Sequence, residues 1–149
     1  MAAKSPVLVA VLAMSWILTV AMGCGGKSEN EPTTSAATHE AQVATSDGGA
    51  FQVKLKTLPA PLETNEHFRL TVQITALEGA SLEGIEVTAD ADMPAHGHGM
   101  NTKPITSKTG DGQYEVEGFL FHMPGYWELY VDIMRAGQRE RATFSFNLD

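Results

Sequence analysis

From Phe51 onward, apolar and polar residues alternate with a period of two through most of the chain. In FQVKLKT, Phe51, Val53 and Leu55 fall on one face, and in HFRLTVQIT, Phe68, Leu70, Val72 and Ile74 do so. IEVTADAD sets Ile85, Val87, Ala89 and Ala91 against Glu86, Thr88, Asp90 and Asp92. YWELYVDIM turns Trp127, Leu129, Val131 and Ile133 to one side, and RATFSFNLD does the same with Ala142, Phe144, Phe146 and Leu148. Successive side chains of a strand point to opposite faces, so each segment predicts a strand with one buried face. The prolines of LPAPLETNE part the first two strands, because proline cannot join a hydrogen-bonded ladder. No stretch of this region has a helical period. Six to seven strands in about 100 residues predict an all-β fold, an immunoglobulin-like antiparallel β-sandwich over 51–149.

One segment breaks the pattern. In QYEVEGFLFHM, Tyr114, Val116, Gly118 and Leu120 alternate as an inward face, yet Phe119 and Phe121 place large rings on the other. This predicts cover on both sides of that strand end. The nearest cover is the connection from Met93 to Gly112, which is longer than a typical loop. Folded back there, it would bring MPAHGHGM beside HMPG.

The start of the chain is organised differently. An apolar run of 16 residues, Val7 to Met22, follows Lys4 and ends in small residues. A membrane-spanning helix needs about 20 apolar residues, so 1–23 reads as a cleavable export signal. Cys24, the one cysteine, stands at its end and cannot form an internal disulfide. AMGC resembles the lipobox of bacterial lipoproteins, with Ala21 and Met22 where that motif usually has Leu and a small residue. The resemblance implies lipidation of Cys24 and attachment to a membrane through the lipid. Gly25 after the cysteine implies the outer membrane, facing the periplasm, where the organism has one. Residues 24–50, rich in Ser, Thr, Ala, Gly and Glu, hold too little apolar surface to order themselves and read as a flexible tether containing His39.

Charge narrows the partners. Cleavage before Cys24 removes Lys4 and no acidic residue, leaving 9 basic and 18 acidic side chains. An acidic domain without a basic stripe is not built for nucleic acid or for adsorption to anionic lipid. The sequence also offers no catalytic machinery: there is no serine in a nucleophile motif and no phosphate loop, and the spacing of Asp90 and Asp92 follows from strand alternation. The expectation is a protein that is not an enzyme.

The chemistry concentrates in MPAHGHGM, Met93 to Met100, and in HMPG, His122 to Gly125. In an extended segment His96, His98 and Met100 point the same way, and the intervening glycines let the backbone bend around an ion. Imidazole with thioether suits copper better than calcium or magnesium, which take oxygen ligands, or zinc, which gains little from methionine. His122, Met123 and Met93 extend the candidate set. The competing role is architectural: histidines bond loop carbonyls and methionines fill gaps over a core, and packing is the rival account of Met93 and Met123 in particular. Trp127 reads as core and His67 as exposed.

MPAHGHGM followed by GQYEVEGFLFHMPGYWELYVDI resembles the YtkA-like domain family of small exported or membrane-tethered bacterial domains, and more distantly the FixH-like and copper-carrier β-sandwiches. The resemblance runs from Phe51 to Leu148 and implies a β-sandwich; the histidines and methionines above occupy the family's motif positions. Two functions follow as expectations. One is a lipid-anchored module that buffers copper or passes it to an envelope oxidase or exporter. The other is a metal-free accessory module that docks to a cell-envelope complex.

Overall fold

The computed structural model describes residues 41–149; the expected signal peptide, Cys24 and His39 lie outside them. Among the described residues there are nine strands and no helix, so none long and apolar enough to cross a membrane. The strands are β1 (Gln42–Thr45), β2 (Phe51–Leu58), β3 (His67–Ala76), β4 (Glu86–Met93), β5 (His98–Gly99), β6 (Ile105–Gly110), β7 (Gln113–Leu120), β8 (Gly125–Arg135) and β9 (Gln138–Leu148). They form two antiparallel sheets, of order β1-β2-β3-β7-β6 and β5-β4-β8-β9. This is the β-sandwich that the alternation predicts.

The alternation places the core. β2 buries Phe51, Val53, Leu55 and Thr57 and exposes every residue between them. β3 buries Phe68, Leu70, Val72 and Ile74, and β8 faces them across the interior with Trp127, Leu129, Val131 and Ile133. Full burial of side chains of this size stabilises by about 1.5–3 kcal/mol each, which lets the sandwich hold together without a disulfide.

Three local features differ from the expectation, each for a physical reason. β7 is not covered on both sides. Phe68 pairs with Phe119 but Leu70 with Val116, so Glu117 and Gly118 together oppose Arg69 in a β-bulge. Gly118 takes φ +93°, which a side chain would resist, and the extra residue inverts the alternation. Tyr114 and Val116 point inward before the bulge, and Phe119 and Phe121 point inward after it.

The connection from Met93 to Gly112 is also not one long loop. It contains β5 and the edge strand β6, whose ITSKTG shows no alternation because it is exposed or half-buried throughout.

The chain is ordered, finally, before Phe51. β1 pairs with β2 inside the stretch read as tether, and the turn after it is held by polar contacts rather than apolar burial. The buried Ser46 hydroxyl donates to Glu140 Oε2 at 2.6 Å and accepts from the Phe51 amide at 3.0 Å. The Ala50 amide donates to the same Glu140 oxygen at 3.1 Å. The Asp47 amide donates to the Arg141 carbonyl, and Asp47 Oδ1 accepts from the Arg141 amide, both at 2.9 Å. Composition alone does not reveal such long-range partners.

Antiparallel pairing sends β2, β4, β7 and β9 to one end of the sandwich, where β3 and β8 begin. The connections 59–66, 94–104 and 121–124 therefore meet there. The Asn65 amide donates to the Phe121 carbonyl at 2.8 Å and joins two of them.

Candidate metal site

The two histidine motifs arrive at this end by different routes. β4 runs out at Met93 into a tight turn, in which the amides of His96 and Gly97 both donate to the Met93 carbonyl at 3.0 Å. Gly97 at φ +68° reverses the chain, and β5 then pairs back on β4, placing His98 opposite Met93. The Met100 amide closes the hairpin on the Ala91 carbonyl at 3.2 Å. His122 comes from the other sheet, two residues beyond β7, where the inverted alternation has just turned Phe121 into the core.

The imidazoles meet in a row. His96 and His98 have ring centres 5.7 Å apart, and His98 and His122 have theirs 5.4 Å apart. Two imidazoles that share one ion, each nitrogen about 2.0–2.1 Å from it, hold their ring centres roughly 5–6 Å apart. Both pairs have that spacing, with His98 common to the two. The row does not close into a triangle: among the described residues no three His, Asp or Glu side chains are grouped to hold one ion.

The lone pairs can be followed further. His98 Nδ1 lies 3.2 Å from the Gly99 carbonyl, which can only accept, so the neutral tautomer that donates there keeps its lone pair on Nε2. His122 Nδ1 is buried with no hydrogen-bond partner. A buried polar atom left alone is costly, and the great majority in folded proteins are paired. His96 and His98 are exposed, and His122 is half-buried.

The methionines separate. Met93 is 1% exposed and belongs to the core, its methyl packed towards Gly125. Met100 and Met123 are partly buried and rest against the core from outside, with surface to spare.

Beside His98 opens a cleft of about 440 Å³, lined among others by Pro94, Gly97, Asp92, Glu128 and Tyr130. Asp92 and Glu128 are directly opposite each other on β4 and β8, which gives the cleft a negative wall. Glu128 accepts from the hydroxyls of Tyr130 at 2.9 Å and Tyr126 at 3.1 Å. Burial first, then the Glu128 contact, pushes the Tyr130 phenol up to about 12, so it stays a neutral donor. Alternation alone places Asp92 on a wetted strand face and marks nothing in Glu128; only the register of β4 and β8 brings them beside a histidine. A cleft of about 470 Å³ lies elsewhere, on the outer face of the five-stranded sheet among Lys54, Lys56, Thr71, Gln73 and Glu115, away from the imidazoles.

No curated protein matches the chain. Among solved structures, it is similar to FetP of uropathogenic E. coli strain F11, at 11% identity and a TM-score of 0.47, over 73% of this chain and 96% of that one. The YtkA-like family matches residues 45–132, which is more than half of the chain and spans both histidine motifs, and the protein is a member of that family.

Proposed function

We propose that the protein is a copper-binding lipoprotein of the bacterial cell envelope, which buffers the ion or passes it to a membrane complex such as an oxidase or exporter. The observation that carries this reading is His122, whose buried Nδ1 has no hydrogen-bond partner while its ring stands 5.4 Å from that of His98. An imidazole nitrogen held unpaired beside a second imidazole has the chemistry of a ligand. His98 and His122 supply two nitrogens; the exposed His96 and the sulfurs of Met100 and Met123 complete the set by side-chain rotation. Met93 supports this set through packing. When bound, copper would bring affinity for both imidazole and thioether, and the mixed donors accept either oxidation state. Partly exposed ligands on short loops suit transfer, since an incoming partner can displace them one at a time. Attachment through Cys24 would keep the protein at the membrane, on the periplasmic side of an outer membrane where there is one, and carriage rather than turnover is the activity proposed.

The test is an anaerobic Cu(I) competition titration against a chromophoric chelator, with a Cu(II) titration beside it, on the purified protein and on its His96→Ala/His98→Ala variant. One-to-one binding that is lost in a folded variant supports copper handling. Equal, negligible binding of both ions by both proteins would leave the metal-free docking module as the account of these loops.

A further inference from the structure

We infer that Trp127 is a positioning residue for the histidine cluster, acting through its indole N–H; this rests on the copper reading above. Trp127 is fully buried and is the largest side chain of the core, which alone would make it a packing residue. Its contacts say more. Nε1 donates to the Met123 carbonyl at 2.9 Å and so pins the His122–Gly125 turn from below. The ring is stacked on Phe121, the neighbour of His122, with centres 4.6 Å apart and planes 14° apart. It meets His122 edge-on at 5.5 Å and His98 edge-on at 6.5 Å. One rigid side chain thereby touches both histidine loops, which come from different sheets and share no backbone pairing.

The arrangement follows from the strand. Trp127 is the third residue of β8 and lies opposite Phe146 of β9, next to the last β4 pair, Asp92 with Glu128, so the β9 ladder holds its backbone in place. An indole fixed there presents its N–H at one point only, and the turn forms where the Met123 carbonyl meets it. A buried tryptophan N–H ordinarily finds an acceptor. Here the acceptor lies one residue from a candidate ligand, so the same bond that satisfies the indole sets where His122 stands relative to His98. A phenyl ring would fill much of the volume and leave the Met123 carbonyl unheld.

The experiment compares the parent protein with Trp127→Phe and with a protein carrying benzothienylalanine at 127, which keeps the tryptophan shape but has sulfur in place of N–H. Thermal unfolding identifies the variants that retain the fold, and the isosteric one keeps the test open where Trp127→Phe does not fold. The first readout is metal-free: long-range ¹H–¹⁵N NMR of the imidazoles. Moved His122 and His98 resonances beside an unmoved His67 are the expected result. The second is copper itself, with at least tenfold weaker Cu(I) competition and a changed Cu(II) electron paramagnetic resonance spectrum expected in a folded variant. Parent-like imidazole shifts, affinity and spectrum in the folded isosteric variant would overturn the positioning role while leaving the copper reading intact. Failure of the parent to bind copper would overturn the copper reading and, with it, this role.

Discussion

The two ends of the sandwich solve the problem of buried polar groups in opposite ways. At the end away from the histidines, turn 46–50 is tied to the first half of β9. Ser46, Asp47, Ala50 and Phe51 find partners in one another or in Glu140 and Arg141 of β9. The chain reverses there through Gly49, Gly79, Gly84, Gly112 and Gly137, all at positive φ. At the histidine end stand all five prolines of the described residues, Pro59, Pro61, Pro94, Pro104 and Pro124. Proline fixes φ and donates nothing, so these loops are stiffened by their own backbone, with the Asn65 amide bonded to the Phe121 carbonyl as a cross-link between two of them. There His122 Nδ1 and Thr102 Oγ1 are buried and unpaired. The far end has one such atom, the Tyr114 hydroxyl, whose pKa burial and then Asp111 raise, so it remains a neutral phenol and a poor ligand. One end is closed by its own hydrogen bonds; the other leaves an imidazole nitrogen and a hydroxyl unpaired on a stiffened frame.

The contrast predicts separable effects. The largest comes from removing the floor of the histidine end. Phe121→Ala takes away a fully buried ring stacked on Trp127 and packed against Phe68, and should cost about 3–5 kcal/mol in denaturant unfolding. A loss under about 1 kcal/mol would mean that this end is not packed as described.

Next is the metal itself. His96→Ala/His98→Ala should weaken copper binding by about 100-fold or more, which is roughly 2.7 kcal/mol, while stability moves within about 0.5 kcal/mol because both side chains are exposed. A matching fall in stability would erase the distinction between ligand and frame.

Smaller again, Glu140→Ala strips partners from Ser46 and Ala50 and should cost about 1–2 kcal/mol with copper affinity unchanged. A shift in copper affinity would show that the two ends are coupled.

The smallest effect is on pH dependence. The Arg141 amide, donating to its carboxylate, holds the Asp47 pKa below its ordinary 3.8, with the Gly48 amide adding to the effect. A depressed carboxylate contributes stability that is fully present above its unfolded pKa and is lost as pH falls through the lower folded value. Asp47→Asn should therefore show a small deficit in thermal stability at pH 7 that shrinks towards pH 3. A deficit of the same size at both pH values would remove the carboxylate charge from the account.

Much of this molecule is legible in one dimension. The inward residues of β2, β3, β4 and β8 follow from period two alone, because alternation is a property of the strand backbone and needs no partner to be read. The nearness of the two histidine motifs was anticipated by a route that the fold corrects: Phe119 and Phe121 are not sandwiched by an outer loop but turned into the core by the bulge at Glu117 and Gly118. Within one sequence a bulge and a doubly covered strand look alike, since both place apolar residues at consecutive positions of the pattern. β6 was not visible because an edge strand exposed on both faces has no reason to alternate, and β1 and its turn because their order comes from Glu140 and Arg141, about 90 positions away.

The sequence by itself determined the sandwich, its core residues and the kinds of donor available at the site, because pattern and side-chain chemistry are local. Only the tertiary structure decided which donors face one another. It put His98 between His96 and His122, took Met93 into the core, left His122 Nδ1 without a partner and set Trp127 under both loops. Those relations join two sheets, and they depend on register and on one inserted residue, which come into being only when the strands pair.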